Sequence, residues 1–248
     1  MMIESTLCHL PGISLADEKE LWRKGIRTWD DLLCWASVFA NDARYAALQL
    51  AIADSKAALA TQRPEFFLKN LPESEWYRVY GDFRAQFHCL DIETEGLQEG
   101  AKITCLSVLS AGEMCTFIQG DNLELATAQL AEIRIAVTFN GTRFDIPRLM
   151  RHFPGFCPRF HLDLAKVLSA RKIRGSLKDV AVRFGAEVNW EAQAITNGKD
   201  ASHAWVEYQQ SGDRTFLDAL RAYNQKDVQL LDFILSYLLR RHARALAS

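Results

Sequence analysis

Three short apolar runs in quick succession constrain this chain more than any other feature. They are Phe87 to Ile92, Ile103 to Leu109 and Met114 to Ile118, divided by turn chemistry at Glu95-Gly96 and Ala111-Gly112. That spacing predicts an antiparallel meander. The texture then alternates. Leu123 to Ile133 reads as a helix, Ile135 to Phe139 as a buried strand, a short helix follows Pro147, and Phe160 to Leu164 reads as a fifth strand. Helices follow near Leu177 to Phe184 and Ala201 to Gln209, and a long last helix covers roughly Phe216 to His242. Strands first, then alternation, predict an α/β fold: a mixed five-stranded sheet with helices on both faces.

Residues 1–80 lack a strand pattern and read as a helical N-terminal region, leaving 81–248 as the main domain. Ser14 is placed to cap a helix through Leu21 and Trp22, Gly25 to end it, and Thr28 to begin another. Residues 41–60 are alanine-rich and suit a helix, and Pro64 and Pro72 are expected to break the chain.

The first strand carries two acids. In a strand, residues i and i+2 share a face, so Asp91 and Glu93 project together while Leu90 and Ile92 point the other way. Adjacent carboxylates repel and raise each other's pKa unless a cation lies between them. Hard divalent cations prefer such oxygen ligands. An exposed strand face would also tolerate the pair. Asp145, in Asn140-Gly141-Thr142-Arg143-Phe144-Asp145, precedes Pro147 and also suits a helix N-cap. That reading leaves Asn140 unexplained at the end of an apolar strand, where α/β folds bind ligands. Tyr223, Asp227, Leu230, Leu231, Ile234 and Leu238 recur at helical spacing on one face of the last helix. A carboxylate on such a stripe is costly to bury without a cation or hydrogen-bond partners, and Tyr223 lies one turn away on the same face.

The chain has 29 Lys and Arg against 31 Asp and Glu, so no overall basic field marks a bulk nucleic-acid binder. A local patch exists instead. Arg143 to Arg183 holds ten cations and three acids, a charge pattern suited to phosphate. The six cysteines show no close pairing of the zinc-site kind. Free thiols, the lack of a signal-like start and the lack of any apolar run of about 20 residues set the expectation of a cytoplasmic protein with no membrane association.

Together, Asp-Ile-Glu, Asn-x-x-x-Phe-Asp and Tyr-x-x-x-Asp resemble the three exonuclease motifs of the DEDD superfamily, tyrosine branch. They look most like the 3'-to-5' proofreading domains of family B DNA polymerases, and like a group of stand-alone RNase H-like predicted exonucleases. The resemblance covers about residues 83–240. It implies a ribonuclease H-like fold and two magnesium or manganese ions held by Asp91, Glu93, Asp145 and Asp227. It implies that Tyr223 positions the attacking water and that Asn140 and Phe144 contact terminal nucleotides. The histidine branch would place His where this chain has Ala222. Ser176-Leu177-Lys178-Asp179-Val180 is similar to a substrate-binding element of related exonucleases, which implies a place near phosphate for Ser176 and Lys178. The expected activity is a metal-dependent 3'-5' exonuclease on single-stranded DNA or RNA ends. A structure-specific RNase H-like endonuclease and a nucleic-acid-binding module without catalysis are the alternatives. Asp163 matches no ligand position. Leu10-Pro11-Gly12-Ile13 followed by Gly25 to Leu33 looks like a helix-hairpin-helix-type element. Its turn lacks the usual second glycine, and Glu18, Glu20, Asp30 and Asp31 oppose DNA there; a purely structural helical cap is the other reading.

Overall fold

A computed structural model describes residues 2–39, 42–98, 100–187 and 195–247. The chain divides into two compact units, one of residues 1–84 with 235–248 and one of residues 85–234.

The first unit is helical. Its helices are α1 (Leu15–Arg23), α2 (Trp29–Ala36), α3 (Ala43–Ala60), α4 (Pro64–Asn70) and α5 (Tyr77–Phe83). Ser14 and Thr28 begin α1 and α2 as expected. Each hydroxyl accepts from the amide three residues on, and Asp17 and Asp31 return the bond as capping boxes. The expected break falls at 61–63 between α3 and α4, and Pro64 itself opens α4, because a proline at the first helical position loses no intrahelical bond. Glu18 is fully buried rather than a surface acid. Its Oε1 accepts from the amides of Leu7 and Cys8 at 2.6 and 3.0 Å, and its Oε2 pairs with Arg78 at 2.8 Å. Glu18 thereby ties the Leu7–Cys8 segment to α5 through Arg78.

The second unit is built on a five-stranded sheet of order β3-β2-β1-β4-β5. Its strands are β1 (Phe87–Thr94), β2 (Ile103–Ser110), β3 (Glu113–Ile118), β4 (Ile135–Thr138) and β5 (Phe160–Asp163). The first three pair antiparallel as the meander requires, and β4 and β5 run parallel to β1. The helices are α6 (Ala126–Glu132), α7 (Asp145–His152), α8 (Leu164–Ala170), α9 (Leu177–Arg183), α10 (Gly198–Ser211) and α11 (Arg214–Ala247). Pro147 lies inside the first turn of α7, which starts earlier than its proline suggested. Helix α8 was not anticipated; Asp163 caps it by accepting from the Ala165 amide.

Strand alternation sorts the core. Leu90, Ile92, Leu106 and Val108 pack with Leu130 of α6 and Leu149 of α7 on one face. Cys105 packs with Ala204 and Trp205 of α10 and Leu217, Leu220 and Tyr223 of α11 on the other. The two faces are thus covered by different helices, and Asp91 and Glu93 project toward the α11 side. Among the described residues, no helix is long and apolar enough to cross a membrane.

Candidate active site

The acids of β1 meet the acid of α11. One carboxylate oxygen from each of Asp91, Glu93 and Asp227 lies within 4.8 Å of the others. Glu93 and Asp227 are buried and Asp91 is half-buried. Strand period and helix period converge here: β1 sends two adjacent carboxylates to one face, and the apolar stripe that docks α11 carries Asp227 in with it.

Asp145 joins from the first turn of α7. It does not cap the helix; Phe144 occupies that position without a side-chain bond. The Asp145 carboxylate instead accepts from the Ile92 amide at 3.2 Å, between the two acids of β1. A cavity of about 280 Å3 is lined by Asp91, Glu93, Asn140, Phe144, Asp145, Tyr223 and Asp227, with Ile92, Phe139 and Leu177. Seven of the nine sequence-derived residues share it.

The other two lie beside it. Ser176 caps α9: it accepts from the Asp179 amide and donates to Asp179 Oδ2 at 2.7 Å. Ser176 and Lys178 line a second cavity with Asp179, Val182 and Thr196. Lys178 also reaches the acids. Its Nζ lies 3.8 Å from Asp227 Oδ1 and 3.7 Å from the centre of the Tyr223 ring, and it donates to the Thr196 carbonyl at 2.8 Å.

The electrostatics follow from this crowding. Burial first, then the charges of Asp145, Glu93 and Asp227, pushes Asp91 well above the usual carboxylate range. Burial and the charges of Asp227 and Asp145 do the same to Glu93. Burial raises Asp145 to about 7, against the pull of the Ile92 amide. Burial raises Asp227 to about 6, opposed by Lys178 and the Tyr223 hydroxyl. Burial and the neighbouring acids push the Tyr223 phenol up, so it stays protonated. Burial pulls Lys178 down, and the acids partly restore it.

The donor set fits a hard divalent cation. It is all carboxylate, and Asp227 Oδ1 is buried without a hydrogen-bond partner. The Lys178 ammonium, 3.8 Å away, lies beyond hydrogen-bond distance of this oxygen, which leaves its coordination incomplete unless a closer cation meets it.

Two residues outside the expected site shape it: Asp163, which the sequence offered only as a further acid nearby that matches no ligand position, and Asn224. Asp163 organises the loop after β4, accepting from the Asn140 and Thr142 amides at 2.8 and 3.1 Å and from the Thr142 hydroxyl at 2.7 Å. It holds Asn140 at φ 62°, in the left-handed region, where Asn is among the few tolerated non-glycine residues. Asn224 donates to Asp91 Oδ2 at 2.8 Å. The Asp163 signal was its place at the end of a strand beside β4. Asn224 offered only its place one turn before Asp227. Arg148, from the basic run, stacks over the Phe144 ring at 3.8 Å and donates to the Leu97 carbonyl at 2.8 Å.

Comparison with known proteins agrees with this architecture. A family model of the RNase H superfamily matches residues 88–239. The chain belongs to that superfamily. Its fold supports a nuclease, a hydrolase acting on nucleic acid, and RNase H-like nucleases usually use divalent metals. Among solved structures, the chain is similar to the family B DNA polymerase from the hyperthermophilic archaeon Pyrobaculum calidifontis, with 15% identity and a TM-score of 0.47. The similarity covers 65% of this chain and 27% of the polymerase, so the chain corresponds to little more than a quarter of that protein's length. No curated protein matches the chain.

Proposed function

We propose that this protein is a metal-dependent 3'-5' exonuclease that hydrolyses phosphodiester bonds at single-stranded DNA or RNA ends. The observation that carries this reading is the meeting of Asp91, Glu93 and Asp227 within 4.8 Å, in a cavity that Asp145, Asn140, Phe144 and Tyr223 also line. Asp91, Glu93, Asp145 and Asp227 would hold two magnesium or manganese ions. When bound, such a pair lowers the pKa of a water and stabilises the developing charge on the leaving oxygen.

The chain's own groups do the rest. The Tyr223 hydroxyl, kept protonated by its surroundings, orients the attacking water. Phe144, whose ring already carries the Arg148 guanidinium at 3.8 Å, contacts a terminal nucleotide together with that cation, with little sequence preference. Asn140 is exposed beside it and bonds the end of the strand. Lys178, half-buried, and Ser176 stand near the entering phosphate. The polarity and the terminal mode of attack rest on the likeness of the three motifs to tyrosine-branch exonucleases.

The test is cleavage of 5'-labelled single-stranded DNA and RNA in magnesium or manganese, beside the Asp91→Ala and Asp227→Ala proteins. A ladder shortening from the 3' end, absent in both variants and in EDTA, is expected. Internal cuts would overturn the exonuclease reading. Full activity in either variant would overturn the assignment of the acids.

A further inference from the structure

A carboxylate that binds a cation works best when something fixes which oxygen it presents. Asp91 has such a partner in Asn224. This side chain is fully buried, with 0% exposure. A carboxamide has one accepting oxygen and two N–H donors. Here the oxygen is occupied: Cys105 Sγ lies 3.4 Å from Asn224 Oδ1 and donates to it. The nitrogen faces Asp91 Oδ2 at 2.8 Å. If the amide turned over, its oxygen would face the Asp91 carboxylate and its NH2, which only donates, would face the thiol and leave the S–H without an acceptor. The thiol anchors one end of the amide, and the other end holds the carboxylate.

The topology makes this arrangement a single unit. Cys105 sits on β2 directly opposite Glu93 of β1. Asn224 sits on α11 between Tyr223 and Asp227. One helix turn thus brings an acid to the cluster and also grips an acid contributed by the strand. The hydrogen bond on Oδ2 leaves the other oxygen of Asp91 as the one with both lone pairs available to a cation.

We infer that Asn224, oriented by Cys105, is a positioning residue that fixes the Asp91 carboxylate for metal binding; this rests on the metal-site reading above. It predicts a graded effect. Loss of the amide lets the carboxylate rotate. Loss of the thiol alone lets the amide turn, with a smaller effect on Asp91. A hydroxyl in place of the thiol restores the donor.

The test is Mn2+ binding to the full chain, followed by the loss of the free-ion paramagnetic signal and by calorimetry. Asn224→Leu, of similar volume, is expected to weaken Mn2+ roughly tenfold to a hundredfold. Cys105→Ala is expected to weaken it severalfold, and Cys105→Ser to return it to near the wild-type value. If the core needed only a snug apolar side chain, Cys105→Ser would be no better than Cys105→Ala, and that ordering overturns the inference. So does Asn224→Leu protein that folds and binds Mn2+ within twofold of wild type. Should Asn224→Leu fail to fold, the Ser and Ala variants at Cys105 still decide. A wild-type protein that binds no Mn2+ overturns the metal-site reading itself, a result distinct from any ordering among the variants.

Discussion

Four carboxyls raised together make a site that is uncomfortable without a counter-charge. A carboxyl whose pKa is higher folded than unfolded binds its proton more tightly in the folded state. Its favourable contribution is present at low pH and is lost as pH rises. With Asp145 near 7 and Asp227 near 6, the metal-free second unit should weaken as pH rises from about 4 to 7, relative to unperturbed carboxyls. Thermal unfolding in EDTA at stepped pH checks this. Asp227→Asn, which keeps shape and removes one charge, should raise the metal-free midpoint at pH 8 and abolish hydrolysis. An unchanged or lower midpoint would mean that the repulsion is not felt. Because metal displaces protons from these groups, Mn2+ should raise the wild-type midpoint more at pH 8 than at pH 6, and should not raise that of Asp227→Asn comparably. The acids themselves were legible from sequence because strand and helix periods fix which side chains share a face. Asn224 was not, since its partner lies 133 positions away and nothing local marks a long-range hydrogen bond.

At the scale of elements, the loop between β4 and α7 is the most tightly specified piece of the site. A Cβ at Gly141 would collide with the Thr138 side chain. That side chain also accepts from the Gly141 amide at 3.2 Å and bonds His161 Nε2 at 2.8 Å, so it cannot easily move aside. Gly141→Ala should therefore displace the loop that carries Asn140, destabilise the protein by about 1–3 kcal/mol and depress cleavage strongly; denaturant unfolding and the 3'-end assay check both. Asp163→Ala should cost about 1–3 kcal/mol per amide left unsatisfied, although Asp163 bears on the four acids only through its charge on Asp145. Had Asp163→Ala left loop and cleavage unchanged, its role would be confined to capping α8. The meander, the parallel return through β4 and the last helix were all visible as periodicity. Helix α8 was hidden because its short stretch, Leu164 to Ala170, follows a strand without a break and its apolar residues continue that strand's pattern. The use of Pro64 as a helix opener was hidden because proline both ends and begins helices.

At the scale of the molecule, the two units respond to pH in opposite directions. In the helical unit, His9 is buried against the stacked rings of Trp29 and Phe67, with Nε2 2.9 Å from Ser55 Oγ. Burial pulls its pKa down to about 4. The unfolded chain takes up this proton from about pH 6.5 downward while the folded one resists. Stability is therefore lost as pH falls from about 6.5 to about 4, on the order of 3 kcal/mol in full. His9→Gln should flatten that acid limb in stepped-pH unfolding; a limb that persists unchanged must come from elsewhere. The same unit is assembled from both ends of the sequence. Residues 1–84 are completed by residues 235–248, through contacts such as the His242 ring against Trp22 at 5.3 Å. During synthesis the first helices are therefore made well before the turns of α11 that complete their core. Until some 150 further residues have emerged, they carry an uncovered apolar seam. The order of manufacture is thus not the order of completion: the intervening sheet unit can close first, and the helices made before it are finished after it.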